Sequence, residues 1–351
     1  MKNQVWQKWV AVSALSVLLA ACGGGGGSDT PAPISSKASI SSVVSFGDSL
    51  SDAGTYVAAK AAGGGKFTTN PGKVWVENVA AYYGITIVPA ETSGFGVPTT
   101  TNPNGYAYGQ GGSRVSDPNG INHAGGATTL PITSQMANYL TNHTAFNAKQ
   151  LVLIQGGPND IFTHLAILGA GGETQNAAQT AIITAATQLV GVVQTAATKG
   201  AQYIVVAGVP DMGSAPLFAG NPTGAAGATS LSLVFNTALQ TGLGQLKAAL
   251  PSTIKIIYID AFTYIDYVAA HSADPAFGFK HSLDAVACDA AKINAIAPTA
   301  GGSSLFCSAN TLTEAGADQT YMFADGIHPT TRLHSLISDY VIGRVEAAFN
   351  P

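Results

Sequence analysis

Short apolar runs rich in β-branched residues recur along the chain, separated by longer stretches whose apolar positions return every three or four residues. Residues 43–46, 150–155, 203–207 and 254–259 are the clearest runs. Each is the length of a strand buried on both faces. A further short strand is expected at 85–88. Helical spacing covers 73–83, with Val74, Val76, Val79 and Ala80 on one face, and a helix of 133–140 follows Pro131. Longer helices are expected over 176–198, about 230–250, 262–270 and 330–349, the last with Pro329 at its start. Residues 91–104 are rich in Gly, Pro and Thr and read as loop, and 280–318 reads as irregular. Strands alternating with helices specify βαβ units and a parallel sheet covered on both faces. About five strands in one domain spanning 43–351 fit the pattern, and no internal repeat is visible.

The amino-terminal segment does not belong to that pattern. Lys2 and Lys8 flank the start, and 10–21 is apolar. That run is too short to span a bilayer and suits the core of a signal peptide, here 1–21. Its end, Leu19-Ala20-Ala21-Cys22, resembles a bacterial lipobox, which implies cleavage before Cys22 and a lipid on its thiol. A plain signal peptide with an incidental cysteine is the alternative. Residues 22–42 are Gly-, Ser- and Pro-rich and read as a flexible tether. Fully extended, 23–40 reaches roughly 60 Å. Cys22 is followed by Gly23 rather than Asp, so an outer-membrane lipoprotein is expected, with release as a secreted protein the alternative.

Composition narrows the function. Charged residues make up 10% of the chain and the net charge is −4, which gives nucleic acid no basic surface to bind. Only three cysteines occur, the histidines are scattered, and no zinc-type spacing is present, so no metal and no cofactor is expected. In an oxidising compartment Cys288 and Cys307 are expected to pair, two buried free thiols being the alternative. Closing that loop would contribute roughly 3 kcal/mol in the chain-entropy model. A monomer is expected.

The first strand ends in Phe46-Gly47-Asp48-Ser49, followed by small residues that could open a helix. In open α/β sheets ligands gather at the carboxyl ends of strands, so Ser49 stands where chemistry is expected. Three other islands follow: Gln110-Gly111-Gly112-Ser113, Gly156-Gly157-Pro158-Asn159-Asp160, and Asp325-Gly326-Ile327-His328-Pro329. The first three islands follow strand candidates, so all four could meet at one edge.

Residues 46–54 resemble the signature block of the GDSL, or SGNH, hydrolases. The other islands are similar to that family's glycine, Gly-x-Asn-Asp and Asp-x-x-His blocks, in family order across 46–329. The resemblance implies a three-layer α/β/α, flavodoxin-like fold. It implies Ser49 as nucleophile, His328 as base and Asp325 as its orienting acid. It also implies an oxyanion hole of Ser49 N–H, Gly112 N–H and the Asn159 side chain; Gly111 in place of Gly112 is left open by the adjacent glycines. The chemistry agrees, since a serine hydroxyl needs an imidazole to take its proton and the developing oxyanion needs preorganised donors.

The other polar residues read as structural. Asp48 and Asp52 are expected to shape the turn, Asp160 to satisfy backbone and Arg114 to be solvated or ion-paired. His334 reads as a helix residue, and His123, His143, His164, His271 and His281 as loop or surface. Pro210-Asp211-Met212-Gly213-Ser214-Ala215-Pro216, with Leu217 and Phe218, is expected to line an acyl or alcohol pocket. The implied activity is a serine esterase or lipase acting on carboxylic esters. A carbohydrate O-acetylesterase, a phospholipase or acyltransferase, and a catalytically silent surface lipoprotein are the alternatives.

Overall fold

The computed structural model describes residues 37–349; the expected signal peptide, Cys22 and most of the tether lie outside the described residues. Strand β1 (Ser42–Phe46) is followed by helix α1 (Trp75–Tyr82), a hairpin of β2 (Glu91–Gly94) and β3 (Val97–Thr101), and α2 (Ile132–His143). Next come β4 (Gln150–Gln155), α3 (Pro158–Gly169), α4 (Gln175–Thr198), β5 (Tyr203–Ala207), α5 (Pro222–Ala249), β6 (Lys255–Ile259) and α6 (Ala261–Ala270). The chain then forms β7 (His281–Val286), α7 (Ala290–Ile296), α8 (Ala317–Thr320), β8 (Tyr321–Phe323) and the closing helix α9 (Thr331–Phe349).

The main sheet is parallel, in the order β1-β4-β5-β6, with Val43 opposite Leu151 and Leu151 opposite Tyr203. Successive strand residues point to opposite faces, which divides the core in two. Val44, Phe46, Val152, Ile154, Ile204 and Val206 pack with residues of α2, α3, α4 and α5. Val43, Leu151, Leu153, Val205, Ile257 and Ile259 pack with α1 and α9. These two cores make the three α/β/α layers. Each fully buried aliphatic side chain contributes about 1.5–3 kcal/mol, and β4 is buried at all six positions.

Four strands, not about five, make the sheet. Residues 85–88 form no strand. Instead Ala107 bridges both Ser45 and Pro89, and its N–H and that of Tyr106 donate to the Val88 carbonyl. Pro89 has no N–H to extend a ladder, so the outer edge stays at isolated bridges. The segment 91–104 is not a loop but carries the β2–β3 hairpin, whose second strand is exposed at Pro98, Thr99, Thr100 and Thr101. The region 280–318 holds β7, α7 and short 3₁₀ turns. Helix α5 begins earlier than expected, at Pro222, with Asn221 accepting from Gly224 N–H as its cap. After Ser49 there is no α-helix: a single 3₁₀ turn, residues 49–51, ends at Asp52.

Candidate active site

Ser49 is held by a turn whose backbone is tied on every side. Gly47 N–H donates to Gln135 Oε1 at 2.9 Å, and Gln135 Nε2 donates back to the Gly47 carbonyl at 2.8 Å. A Cβ at Gly47 would sit 2.9 Å from the Ser51 side chain and 3.0 Å from the Gln155 carbonyl, so the turn is too close to β4 for a larger residue. Asp48 caps the 3₁₀ turn by accepting from Leu50 N–H at 3.0 Å. Its other oxygen accepts from Gln155 Nε2 at 3.0 Å. As the first residue of the turn, Ser49 has an N–H with no intrahelical acceptor.

His328 lies in the turn after β8. Its Nε2 is 3.0 Å from Ser49 Oγ, and its Nδ1 is 2.9 and 2.8 Å from the two oxygens of Asp325. A carboxylate only accepts, so Nδ1 carries the hydrogen and Nε2 is left to accept from the serine hydroxyl. Asp325 Oδ1 also accepts the N–H groups of Ile327 and His328, at 3.0 and 2.9 Å, while Oδ2 accepts Ser304 N–H at 2.7 Å. Burial pushes the Asp325 carboxyl up, but His328 and these donors outweigh it and hold the group well below the usual carboxylate range. The Phe67 ring lies 5.0 Å from the imidazole centroid. Ser49 and His328 remain only 8% and 7% exposed.

Asn159 sits in the first turn of α3, where Pro158 opens the helix. Its Nδ2 donates to the Ser113 carbonyl at 2.9 Å, which spends one of its two hydrogens and fixes the amide orientation. Gly111 and Gly112 are told apart by their amides. Gly111 N–H donates to Asp52 Oδ2 at 2.9 Å, whereas Gly112 N–H has no acceptor among the described residues. Gly112 takes φ +82, and a Cβ there would lie 2.2 Å from the Ile121 carbonyl, so glycine is required twice over.

Ser49, Gly111, Gly112, Asn159 and His328 open on one cleft of about 510 Å³. Its walls are Tyr56, Phe67, Phe95, Ile121, Leu305 and Phe306. Among the described residues no group of three or more His, Cys, Asp or Glu side chains is placed to hold a metal.

The residues expected to be structural are found in such contacts. Asp52 accepts from Gly54, Thr55 and Gly111 N–H groups. Burial raises both Asp48 and Asp52 to about 6, against partial relief from these donors. Arg114 pairs with Asp160 and Asp117, and Asp160 also accepts Val115 N–H at 3.0 Å. His334 is fully buried; its Nδ1 accepts Trp75 N–H, and burial lowers it to about 3. His164 is not a plain surface residue, because it bridges Glu173 and Arg114. His143 packs against the rings of Tyr106 and Tyr139.

The loop after β5 is not a wall of the serine cleft. Pro210, Asp211, Met212 and Ala215 line a separate, nearly wholly apolar cavity of about 50 Å³ that shares Ile327 with the cleft. Leu217 instead supports the histidine turn, its N–H donating to the Gly326 carbonyl at 2.8 Å. Cys288 and Cys307 are joined in a disulfide. Two contributors escaped the sequence reading. Ser304 acts through its main chain, which leaves no residue-type signal, and Phe67 sits in a Gly/Thr-rich stretch with no periodicity.

The family model of the GDSL-like lipases and acylhydrolases matches residues 43–341. The chain belongs to this family. It is therefore a carboxylic ester hydrolase of the GDSL class, and its parallel sheet and covering helices are the fold of that class. No curated protein matches the sequence. Among solved structures, the carbohydrate acetylesterase Est24 from Sinorhizobium meliloti is similar at 17% identity and a TM-score of 0.39, over 87% of this chain and 98% of that one.

Proposed function

We propose that this GDSL hydrolase cleaves carboxylic esters through an acyl-enzyme on Ser49. The observation that carries the reading is the unbroken hydrogen-bonded series Asp325–His328–Ser49 at the floor of the cleft. His328 Nε2 takes the serine proton as Oγ attacks the acyl carbon. The carbonyl oxygen, now anionic, is received by Ser49 N–H, Gly112 N–H and the second Nδ2 hydrogen of Asn159. Collapse expels the alcohol, protonated by His328, and leaves acyl-Ser49. A water, deprotonated by the same imidazole, then releases the acid and restores the hydroxyl. Asp325 keeps the imidazole in the tautomer this cycle needs and stabilises the imidazolium that forms.

The cleft volume and its aromatic walls leave room for an acyl or alcohol group larger than acetyl. The lipobox-like end of the leader supports an exported protein anchored through Cys22 and its tether to the outer membrane, with an ester substrate as its partner and no nucleic acid. Ser49→Ala and His328→Ala should each abolish turnover of p-nitrophenyl esters while circular dichroism is unchanged. Full turnover in either would overturn the mechanism. An ester panel of graded acyl length would separate acetyl from long-chain preference. Incorporation of labelled fatty acid, lost in Cys22→Ser, would test the anchor.

A further inference from the structure

The two oxygens of Asp325 are anchored very differently. Oδ1 accepts from Ile327 and His328 N–H, both in its own turn. Apart from the imidazole, Oδ2 has one donor among the described residues, Ser304 N–H at 2.7 Å, from a chain segment twenty-one positions away. Ser304 is wholly buried, yet its own hydroxyl has no partner. What the residue offers the site is its backbone.

Ser304 belongs to a strap running from Cys288 to Cys307, closed by their disulfide. Both ends of the strap meet the machinery. Cys288 N–H donates to the carbonyl of Ala324, the residue before Asp325, at 2.9 Å. At the other end Gly65 N–H donates to the Leu305 carbonyl at 2.8 Å, and Asn70 N–H to that of Cys307 at 3.3 Å. These contacts tie the strap to the loop that carries Phe67 against His328. Thr299, Ala300, Ser303, Leu305 and Phe306 of the strap also wall the cleft.

We propose that the strap is part of the catalytic apparatus: Ser304 N–H is a positioning donor for Asp325, and the Cys288–Cys307 link sets turnover by holding that donor in place. The proposal rests on the acyl-enzyme reading above. With the link cut, the strap is held by its hydrogen bonds and buried side chains alone and shifts more readily, so Oδ2 spends time without its outside donor and the carboxylate can swing about its own turn. The imidazole then loses its fixed aim at Ser49 Oγ.

The test is the rate at which a fluorophosphonate labels Ser49, which reads nucleophile activation without substrate fit, together with kcat and KM on p-nitrophenyl acetate. The oxidised enzyme is compared with enzyme reduced by excess dithiol, which leaves two cysteine thiols and the oxidised reagent. Labelling and kcat should both fall about tenfold or more, equivalent to about 1.4 kcal/mol, with KM for this small ester and the far-ultraviolet circular dichroism little changed. Ser304→Pro gives the same test with the disulfide intact. Residue 304 is the first position of a 3₁₀ turn and Ser303 has ψ 135, so the local backbone dihedrals suit proline, whose ring replaces the N–H and pushes Asp325 Oδ2 out of its 2.7 Å contact. Should the reduced protein unfold, Ser304→Pro decides. Unchanged labelling in the folded reduced enzyme or in Ser304→Pro overturns the strap's role alone. An oxidised wild type that takes no label overturns the acyl-enzyme reading and this proposal with it.

Discussion

In the proposed mechanism, replacing Asn159 isolates the oxyanion hole from the rest of the site. Its amide touches neither Ser49 nor His328 through any hydrogen bond; it donates one hydrogen to the Ser113 carbonyl and keeps the second for the cleft. Asn159→Ala therefore leaves nucleophile and base in place and removes one preorganised donor. Loss of one such donor costs about 10²–10³ in kcat, or about 2.7–4 kcal/mol of transition-state stabilisation. KM should change by less than about threefold, because the donor acts mainly on charge that develops after binding. The Ser113 carbonyl also loses its donor, at about 1–3 kcal/mol of stability, so the variant should melt several degrees lower yet remain folded at assay temperature. Asn159→Asp should be slower still. A carboxylate there faces the Ser113 carbonyl and the oxyanion with negative charge. Steady-state kinetics on a p-nitrophenyl ester, with the melting curve as a control, decide it. A kcat for folded Asn159→Ala within about threefold of the parent would refute the assigned role.

Gly112→Ala should lose activity at least as severely, since φ +82 and the approach to the Ile121 carbonyl force the loop and its N–H to move; a variant with parental kcat would return the role to Gly111. The contribution of Asp48 and Asp52 to stability should fall as pH rises from about 4 to about 6, opposed over the same range by buried His334, which is lowered to about 3. Folded Asp48 and Asp52 hold their protons to about 6, while in the unfolded chain they release them near 3.8. Below about 4 both states are protonated and nothing is lost; above about 6 each group costs on the order of 3 kcal/mol. Asp325, shifted down, has the opposite sign and lends stability that is lost only as pH falls below about 4. Melting of Asp48→Asn against the parent should therefore show a relative gain that grows between pH 4 and 6, and a constant difference would contradict the burial argument.

The strands were legible because burial on both faces leaves continuous apolar runs such as Leu151-Val152-Leu153-Ile154. Ser49, Asp325 and His328 were legible through the resemblance of their two short blocks to those of the GDSL family, each block being contiguous in the sequence. The hairpin was hidden: Pro98-Thr99-Thr100-Thr101 is exposed throughout, so no alternation of burial marks it. The early start of α5 was masked by Gly224 and Gly227, although Asn221 and Pro222 form a cap and first position that announce it. The choice between Gly111 and Gly112 turns on which amide Asp52 occupies, a contact across the fold that neither glycine encodes locally. Ser304 could not be found from its side chain, because its backbone is what the site uses.

The central claim is a covalent acyl intermediate on Ser49, and intact-mass measurement tests it most directly. Enzyme quenched during turnover of a slowly deacylating p-nitrophenyl ester should gain the mass of one acyl group, mapped by peptide digestion to the segment containing Ser49 and absent from Ser49→Ala. Turnover with no such adduct, or an adduct on another residue, would contradict the account.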